Sequence, residues 1–315
     1  MFDAQKFIDR QVKKIAEEVR GRAIIAASGG VDSTVCAVLM SRAIGDRLLA
    51  VYVDTGFMRK GETEMVDGML SRLGVNHMVV DASDEYFDAL KGVTDPETKR
   101  KIIGEKFIRV FEREAKKFDA ECLVQGTIAP DWIESGGGLR DTIKSHHNVG
   151  GLPKDMHLKL VEPLRDLYKD EVRKTARALG IEVAERQPFP GPALAIRIMG
   201  EPTKDSVEIV REACAIVEEE LEKAAAAGKM DLPWQYFAVL LPVRSVGVQG
   251  DIRAYGYTVA VRAVASVDAM SADYSKIPHE VLETISNRIT NKMKDKVNRV
   301  VYDITNKPPG TIEWE

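Results

Sequence analysis

The residues with the clearest chemistry lie in one short turn, Ser28-Gly29-Gly30-Val31-Asp32-Ser33. Its two glycines let backbone N–H groups approach an anion closely, and its serine hydroxyls donate further hydrogen bonds. The N-terminus of the helix that follows adds a partial positive charge. The turn therefore predicts a phosphate-binding site. A structural alternative remains, in which the glycines only make a tight turn and Asp32 only caps the helix.

Asp32 sets this turn apart from a simple phosphate site, because a carboxylate beside a phosphate is repelled unless a divalent cation lies between them. Magnesium takes both carboxylate and phosphate oxygens as ligands and meets this requirement. No lysine follows the glycines, so the turn is not a P-loop, and its glycines do not have the spacing of a GxGxxG motif. We predict a nucleotide site in which Asp32 is a ligand of Mg²⁺.

The segments around this turn alternate between strand and helix patterns. Short apolar runs predict strands, and longer stretches with apolar residues three and four apart predict helices. Strands that alternate with helices form a parallel sheet covered on both faces, which is an α/β fold. The predicted strands are residues 23–27, 48–53, 77–80 and 122–124, and the predicted helices are residues 1–20, 31–44, 62–73, 97–117 and 167–179.

A run rich in proline and glycine, QPFPGPALAIR at residues 187–197, marks the predicted domain boundary. We predict a first domain of residues 1–187 and a second of residues 188–315. The pattern of the second predicts an α+β domain built on an antiparallel or mixed sheet. Its predicted strands are residues 193–198, 237–241, 257–264 and 299–304, and its predicted helices are residues 204–226 and 280–293.

The composition excludes several classes of protein. The 315 residues are 44% hydrophobic and 30% charged, which is typical of a globular chain large enough for two domains. A net charge of −4 gives no overall positive field for nucleic acid, and no apolar run reaches the length of a membrane span. We expect a cytoplasmic protein with no nucleic-acid or membrane partner. Cys36, Cys122 and Cys214 lie in apolar runs, which favours reduced core residues.

The turn resembles the SGGxDS pyrophosphate loop of the N-type ATP pyrophosphatases, the adenine nucleotide alpha hydrolase-like enzymes that split ATP into AMP and pyrophosphate. Six further segments are similar to one family of that class, the GMP synthetases, and they run in the same order along nearly the whole chain. They are DPETKRKIIGEKF at residues 95–107, QGTIAPDWIES at 125–135, IKSHHNVGGLP at 143–153, PFPGPALAIR at 188–197, LPVRSVGVQGD at 241–251 and KPPGTIEWE at 307–315.

The resemblance implies a reaction, its substrates and its partners. Xanthosine 5′-monophosphate (XMP) attacks the α-phosphate of ATP through its C2 oxygen, pyrophosphate leaves, and ammonia then displaces AMP to give GMP. The amidotransferase domain of many family members has no counterpart here, so we expect ammonia from a separate glutaminase subunit. The family's smaller C-terminal domain implies a homodimer.

The resemblance also assigns roles to individual residues. It implies that ATP and Mg²⁺ lie at the glycine turn and at two neighbouring strand ends, and that XMP contacts the second domain. The alternative for Lys307 and Glu313 is a frayed tail, and the alternative for Arg100 is a solvated basic helix face. The ATP residues are Ser28, Gly29, Gly30, Val31, Asp32, Ser33, Thr34, Val53 and Gly126, and the XMP residues are Arg100, Asp251, Lys307 and Glu313.

Residues 128–157 show no sustained period, and long irregular segments in compact domains are usually functional or disordered. The resemblance implies a lid that closes over ATP and contributes Asp131, Glu134 and Lys144 to the adenylation step. A flexible polar loop is the alternative.

Two other functions remain open from the sequence. One is another N-type pyrophosphatase, although a tRNA-modifying member is expected to have a basic face, which the net charge does not favour. The other is a nucleotide-sensing module that binds ATP and XMP without releasing pyrophosphate.

Overall fold

The computed structural model describes residues 2–134, 158–182, 186–249, 251–267 and 269–315, with the side chains of residues 132–134 and 249 left out. It divides the chain into two compact units. Unit 1 contains Met1–Thr55, Gly61–Ala82 and Gly104–Glu185, and unit 2 contains Gly56–Lys60, Ser83–Ile103 and Arg186–Glu315. The last segment of unit 2 begins two residues before the predicted boundary, but the sequence did not predict the two earlier segments of unit 2.

Unit 1 is built on a five-stranded parallel sheet. Its strands are β1 (Ala23–Ala26), β2 (Leu48–Asp54), β3 (His77–Asp81), β4 (Cys122–Val124) and β5 (Lys159–Val161), and its helices are α1 (Ala4–Glu18), α2 (Val31–Ile44), α3 (Glu62–Arg72), α6 (Ala129–Glu134) and α7 (Lys169–Ala178). The strand order in the sheet is β3-β2-β1-β4-β5. The strands β1 and β2 are buried almost throughout, as expected for a parallel sheet covered on both faces.

The strand order reverses direction at β1. The chain moves from β1 outward through β2 to β3, and later returns to the other side of β1 with β4 and β5. Ligands of open α/β sheets bind outside the carboxyl ends of the strands at such a switch point. The carboxyl ends of β1 and β4 are therefore the expected position of a nucleotide.

Unit 2 contains a four-stranded mixed sheet with helices. Strands β6 (Gln235–Gln249) and β7 (Ile252–Ala265) form a long antiparallel hairpin, β8 (Asp273–Tyr274) pairs antiparallel with β7, and β9 (Val297–Asp303) pairs parallel with β7. The helices are α4 (Ser83–Ala89), α8 (Lys204–Ala226) and α9 (His279–Lys292), and α5 (Pro96–Lys117) begins in unit 2 and ends in unit 1. Helix α8 packs on β6, and α9 packs on β9 and α8.

The predicted fold class is confirmed, with local corrections. The predicted strand at residues 193–198 is wrong, because Ala193–Arg197 is a 3₁₀ helix that follows Pro190 and Pro192. A short apolar run does not by itself distinguish a strand from a buried helical turn. Strands β5 and β8 and helices α4 and α6 were not predicted, since each is short or lies inside an irregular pattern.

The three cysteines are free and buried, which confirms that they are core residues. Burial raises the pKa of each thiol, so all three are protonated near neutral pH. Among the helices that the structure describes, none is long and apolar enough to cross a membrane.

Candidate functional site

The glycine loop, residues 28–30, connects β1 to α2 and leads directly into the helix N-terminus. Gly30 is the N-cap residue and has no side chain to satisfy the first N–H groups of the helix. Gly29 has a φ of +72°, in the left-handed region that glycine adopts without strain, and a Cβ there would lie 2.8 Å from Cγ2 of Val66. The loop therefore presents the N–H groups of the first helical turn to a ligand.

Hydroxyl groups fix the shape of the glycine loop. The Oγ atoms of Ser28 and Ser33 are 2.9 Å apart, and Ser33 donates to the carbonyl oxygen of Gly30 at 3.1 Å. Thr34 is buried, and its Oγ1 donates to the same carbonyl at 2.8 Å. These bonds span at most five residues, so the local sequence is sufficient to form them.

The ends of β4 and β2 lie beside this loop in the sheet. A Cβ on Gly126 would lie 3.4 Å from both the carbonyl carbon of Asp32 and the nitrogen of Ser33, so Gly126 lies directly against the first turn of α2. Val53 is buried near the end of β2. Asp54, the last residue of β2, accepts a 2.7 Å hydrogen bond on its carboxylate from the hydroxyl of Thr63.

Asp32 lies in the first turn of α2 and is half-buried. Among the described residues, no group of three or more His, Cys, Asp or Glu side chains is arranged to hold a metal ion. A single carboxylate at a phosphate-binding loop nevertheless fits Mg²⁺, because this ion is commonly bound by one or two carboxylates together with substrate phosphates. The chemistry of the loop is therefore compatible with the predicted metal ligand.

The predicted lid residues are only partly described. Asp131 is exposed, and its Oδ2 accepts a 3.0 Å hydrogen bond from the N–H of Ile128, next to the start of α6. Glu134 is the last residue of α6. Its side chain and the whole of Lys144 lie outside the described residues. The predicted irregular segment thus begins with a short helix.

The four predicted XMP residues occupy different parts of unit 2. Arg100, on α5, donates from Nη2 to the main-chain oxygen of Glu315. Lys307 donates from Nζ to the carbonyl oxygen of Ala269 at 2.7 Å. Asp251 is exposed at the turn between β6 and β7, whereas Glu313 contacts Gln235 at the opposite end of β6.

Glu313 forms a two-point ion pair with Arg197, which is fully buried. The distances are 3.1 Å from Nε to Oε2 and 2.8 Å from Nη2 to Oε1, and the guanidinium lies 4.1 Å from the ring centre of Phe237. Burial alone lowers the pKa of Arg197, but the pair with Glu313 outweighs it, so the pKa lies above its usual value. Gln235 donates a further 2.8 Å bond to Oε1 of Glu313.

Two more fully buried cations hold the C-terminal tail, which we define as residues 305–315. Arg262 on β7 donates to the carbonyl oxygens of Thr305 at 2.5 Å and Thr311 at 2.9 Å. Lys99 on α5 forms an ion pair with the carboxylate of Glu315. The structure therefore contradicts the alternative of a frayed tail for the tail as a whole, since three buried cations bind it.

Sequence reasoning missed these three cations as a group. Lys99 belongs to the basic triplet at residues 99–101, which is typical of a solvated helix face, yet its side chain is completely buried. For Arg262 a signal existed, because an arginine inside the apolar run TVAVRAVA requires a buried partner. The residues near Arg262 in the sequence did not identify the tail as its partner.

Comparison with known proteins gives full-length relatives. The chain is similar to the B-type subunit of glutamine-hydrolyzing GMP synthase from Thermoplasma acidophilum, with 59% identity over 98% of both chains. It is similar to the protein of the same name from Methanopyrus kandleri, with 60% identity over 100% of both chains. It is also similar to the glutamine-hydrolyzing GMP synthase of Geobacillus kaustophilus, with 56% identity over 99% of this chain and 61% of that protein.

Two family models match parts of the chain. The model described as GMP synthase C terminal domain matches residues 219–314, which include α9, β9 and the tail. The model described as Queuosine biosynthesis protein QueC matches residues 22–102, which include the glycine loop and the first three strands.

Proposed function

The chain belongs to the GMP synthase family, as one of its B-type subunits, and we propose that it adenylates XMP at the C2 oxygen and then aminates it with ammonia, giving GMP, AMP and pyrophosphate. It is a ligase subunit that uses ATP and serves GMP synthesis. The observation that carries the mechanism is the glycine loop, which presents helix N–H groups at the switch point of a parallel sheet.

The first step of this reaction needs stabilisation of charge on the phosphoryl groups of ATP. The N–H groups of the first turn of α2 are preorganised donors for the leaving pyrophosphate, and the hydroxyls of Ser28 and Ser33 hold the loop in shape beside them. Thr34 supports the loop through Gly30. Gly126 lies against the first turn of α2, and Val53 lies near the end of β2. In this proposal the adenosine binds between these two strand ends.

Asp32 would hold Mg²⁺ at the phosphates. When bound there, the ion supplies neutralisation of the charge that develops on the phosphoryl oxygens. The protein's own part is to place one carboxylate at the start of α2, within reach of a phosphate on the loop.

The second step requires XMP and ammonia in a site that excludes water. We assign XMP binding to Arg100, Asp251, Lys307 and Glu313, with the cationic groups suited to its phosphate and Glu313 suited to purine N–H groups. We assign Asp131, Glu134 and Lys144 to a lid over the adenylated intermediate, because water there would hydrolyse it.

Ammonia comes, in this proposal, from a separate glutaminase subunit. The names of the full-length relatives support this, since each is one subunit of a glutamine-hydrolyzing enzyme. The three buried thiols, whose pKa values burial raises, also make poor nucleophiles for glutamine hydrolysis.

We also propose a homodimer through unit 2. Exposed apolar residues along the β6–β7 hairpin support it, namely Val243, Val246, Val248, Ile252 and Tyr255. The cytoplasmic location stays a prediction.

A pyrophosphate-release assay tests the function. The purified chain is given ATP and Mg²⁺ with ammonium chloride and, in turn, XMP, nicotinate adenine dinucleotide or no acceptor. We expect pyrophosphate only with XMP, and GMP in equal amount. Glutamine in place of ammonium should give no GMP until a glutaminase subunit is added. Pyrophosphate release with another acceptor, or none with XMP, would contradict the proposal.

A further inference from the structure

The ion pair between Lys99 and Glu315 is one of the most deeply buried in the described part of the chain. The exposed fraction is 0% for the Lys99 side chain and 4% for that of Glu315. Burial lowers the pKa of Lys99 and raises that of Glu315, and the pairing opposes both shifts. Two ionisable groups removed from water in this way require precise partners.

Lys99 meets that requirement with directional hydrogen bonds. Its Nζ donates to the carbonyl oxygen of Ile198 at 2.7 Å and approaches that of Ala195 at 3.5 Å, beside its bond to Glu315. An ammonium group has three protons, so these three acceptors use its full capacity. The carboxylate of Glu315 is therefore held against a fixed point of unit 2.

Glu315 also contacts the residue that follows Lys99. Arg100 Nη2 donates to the main-chain oxygen of Glu315. One residue of the tail is thus bound through its side chain by Lys99 and through its backbone by Arg100. Two residues earlier, Glu313 is bound by Arg197. Of the two residues assigned to XMP at this place, Arg100 therefore contacts Glu315 directly, and Glu313 lies two residues before it in the chain.

We propose that Lys99 and Glu315 are positioning residues, whose buried ion pair fixes the end of the tail and thereby orients Arg100 and Glu313 for the nucleotide monophosphate. This inference rests on the proposed function. Stability alone does not require such a pair, because a buried ion pair replaced by apolar residues of similar size often leaves a protein equally stable or more so. Its directional bonds instead specify one position of the tail.

The test is a double-substitution cycle with Lys99→Met, Glu315→Met and the double variant. Each single change leaves one buried charge without its partner, so we expect a lower melting temperature and a KM for XMP raised about tenfold or more. The KM for ATP should stay within about twofold. In the double variant the melting temperature should recover, but the KM for XMP should remain raised.

This last result separates positioning from a structural role. If the KM for XMP recovers together with the melting temperature, or if folded variants bind XMP normally, the proposal is wrong. If the single variants do not fold, the KM for XMP of the double variant is sufficient to test the proposal. A matched control is Lys296→Met with Asp205→Asn, an exposed pair in the same unit, which should change neither quantity. A wild-type chain that releases pyrophosphate without XMP would instead overturn the proposed function itself.

Discussion

The glycine loop and the C-terminal tail are both assigned to nucleotides, but different interactions hold them. The hydrogen bonds that shape the loop join residues no more than five apart. The buried cations that hold the tail reach across the chain, with 216 positions between Lys99 and Glu315 and 116 between Arg197 and Glu313. The loop is a local structure at the sheet edge, whereas the tail depends on three distant elements.

This difference has consequences for substitution. The loop offers its backbone N–H groups to a ligand, so changes there should affect activity more than folding. The tail satisfies charges that are buried in unit 2, so its loss should affect folding first. One deletion and two substitutions test this difference between the loop and the tail.

Deletion of residues 307–315 should have the largest effect. It removes Glu313 from Arg197 and Glu315 from Lys99, and it removes two of the carbonyl oxygens that Arg262 binds. Loss of one partner from a buried ion pair costs about 3 to 5 kcal/mol, so we expect the free energy of unfolding to fall by at least that amount. Urea unfolding measures it. An unchanged midpoint would mean that the tail is a frayed end after all.

Asp32→Asn should lower XMP-dependent pyrophosphate release on the order of 100-fold, because it removes a charge-stabilising group at the phosphates. The melting temperature should change little, since the residue lies half-exposed at a helix start. Asp46→Asn, just past the other end of α2, is the matched control and should retain activity. Near wild-type pyrophosphate release by the Asp32 variant at saturating Mg²⁺ would remove Asp32 from the site.

Gly29→Ala should have a smaller, mixed effect. Its positive φ costs an alanine about 1 to 2 kcal/mol, and the new Cβ would be only 2.8 Å from Val66, so the loop must shift. We expect a KM for ATP raised about tenfold. Gly45→Ala, with a φ of +56° and no atom within 4 Å of the new Cβ, should also lose stability but no activity. Equal KM values in the two variants would show that the loop backbone does not contact ATP.

The same contrast explains how much could be predicted from the sequence. The strand, the glycines and the first helical turn lie side by side in the chain, so local patterns were enough to predict the loop and the α/β fold. The 3₁₀ helix at Ala193–Arg197 was taken for a strand, because an apolar run has no period when all its faces are buried. The role of Lys99 could not be predicted, since its partners are made by tertiary structure.

An oxygen-isotope experiment tests the central claim most directly. XMP that carries ¹⁸O at C2 is converted with ATP, Mg²⁺ and ammonium chloride, and the products are analysed by mass spectrometry. If the C2 oxygen attacks the α-phosphate, the label must leave in the phosphate of AMP, and GMP must contain none of it. Label found in water or in pyrophosphate, with unlabelled AMP, would contradict adenylation of XMP by this protein.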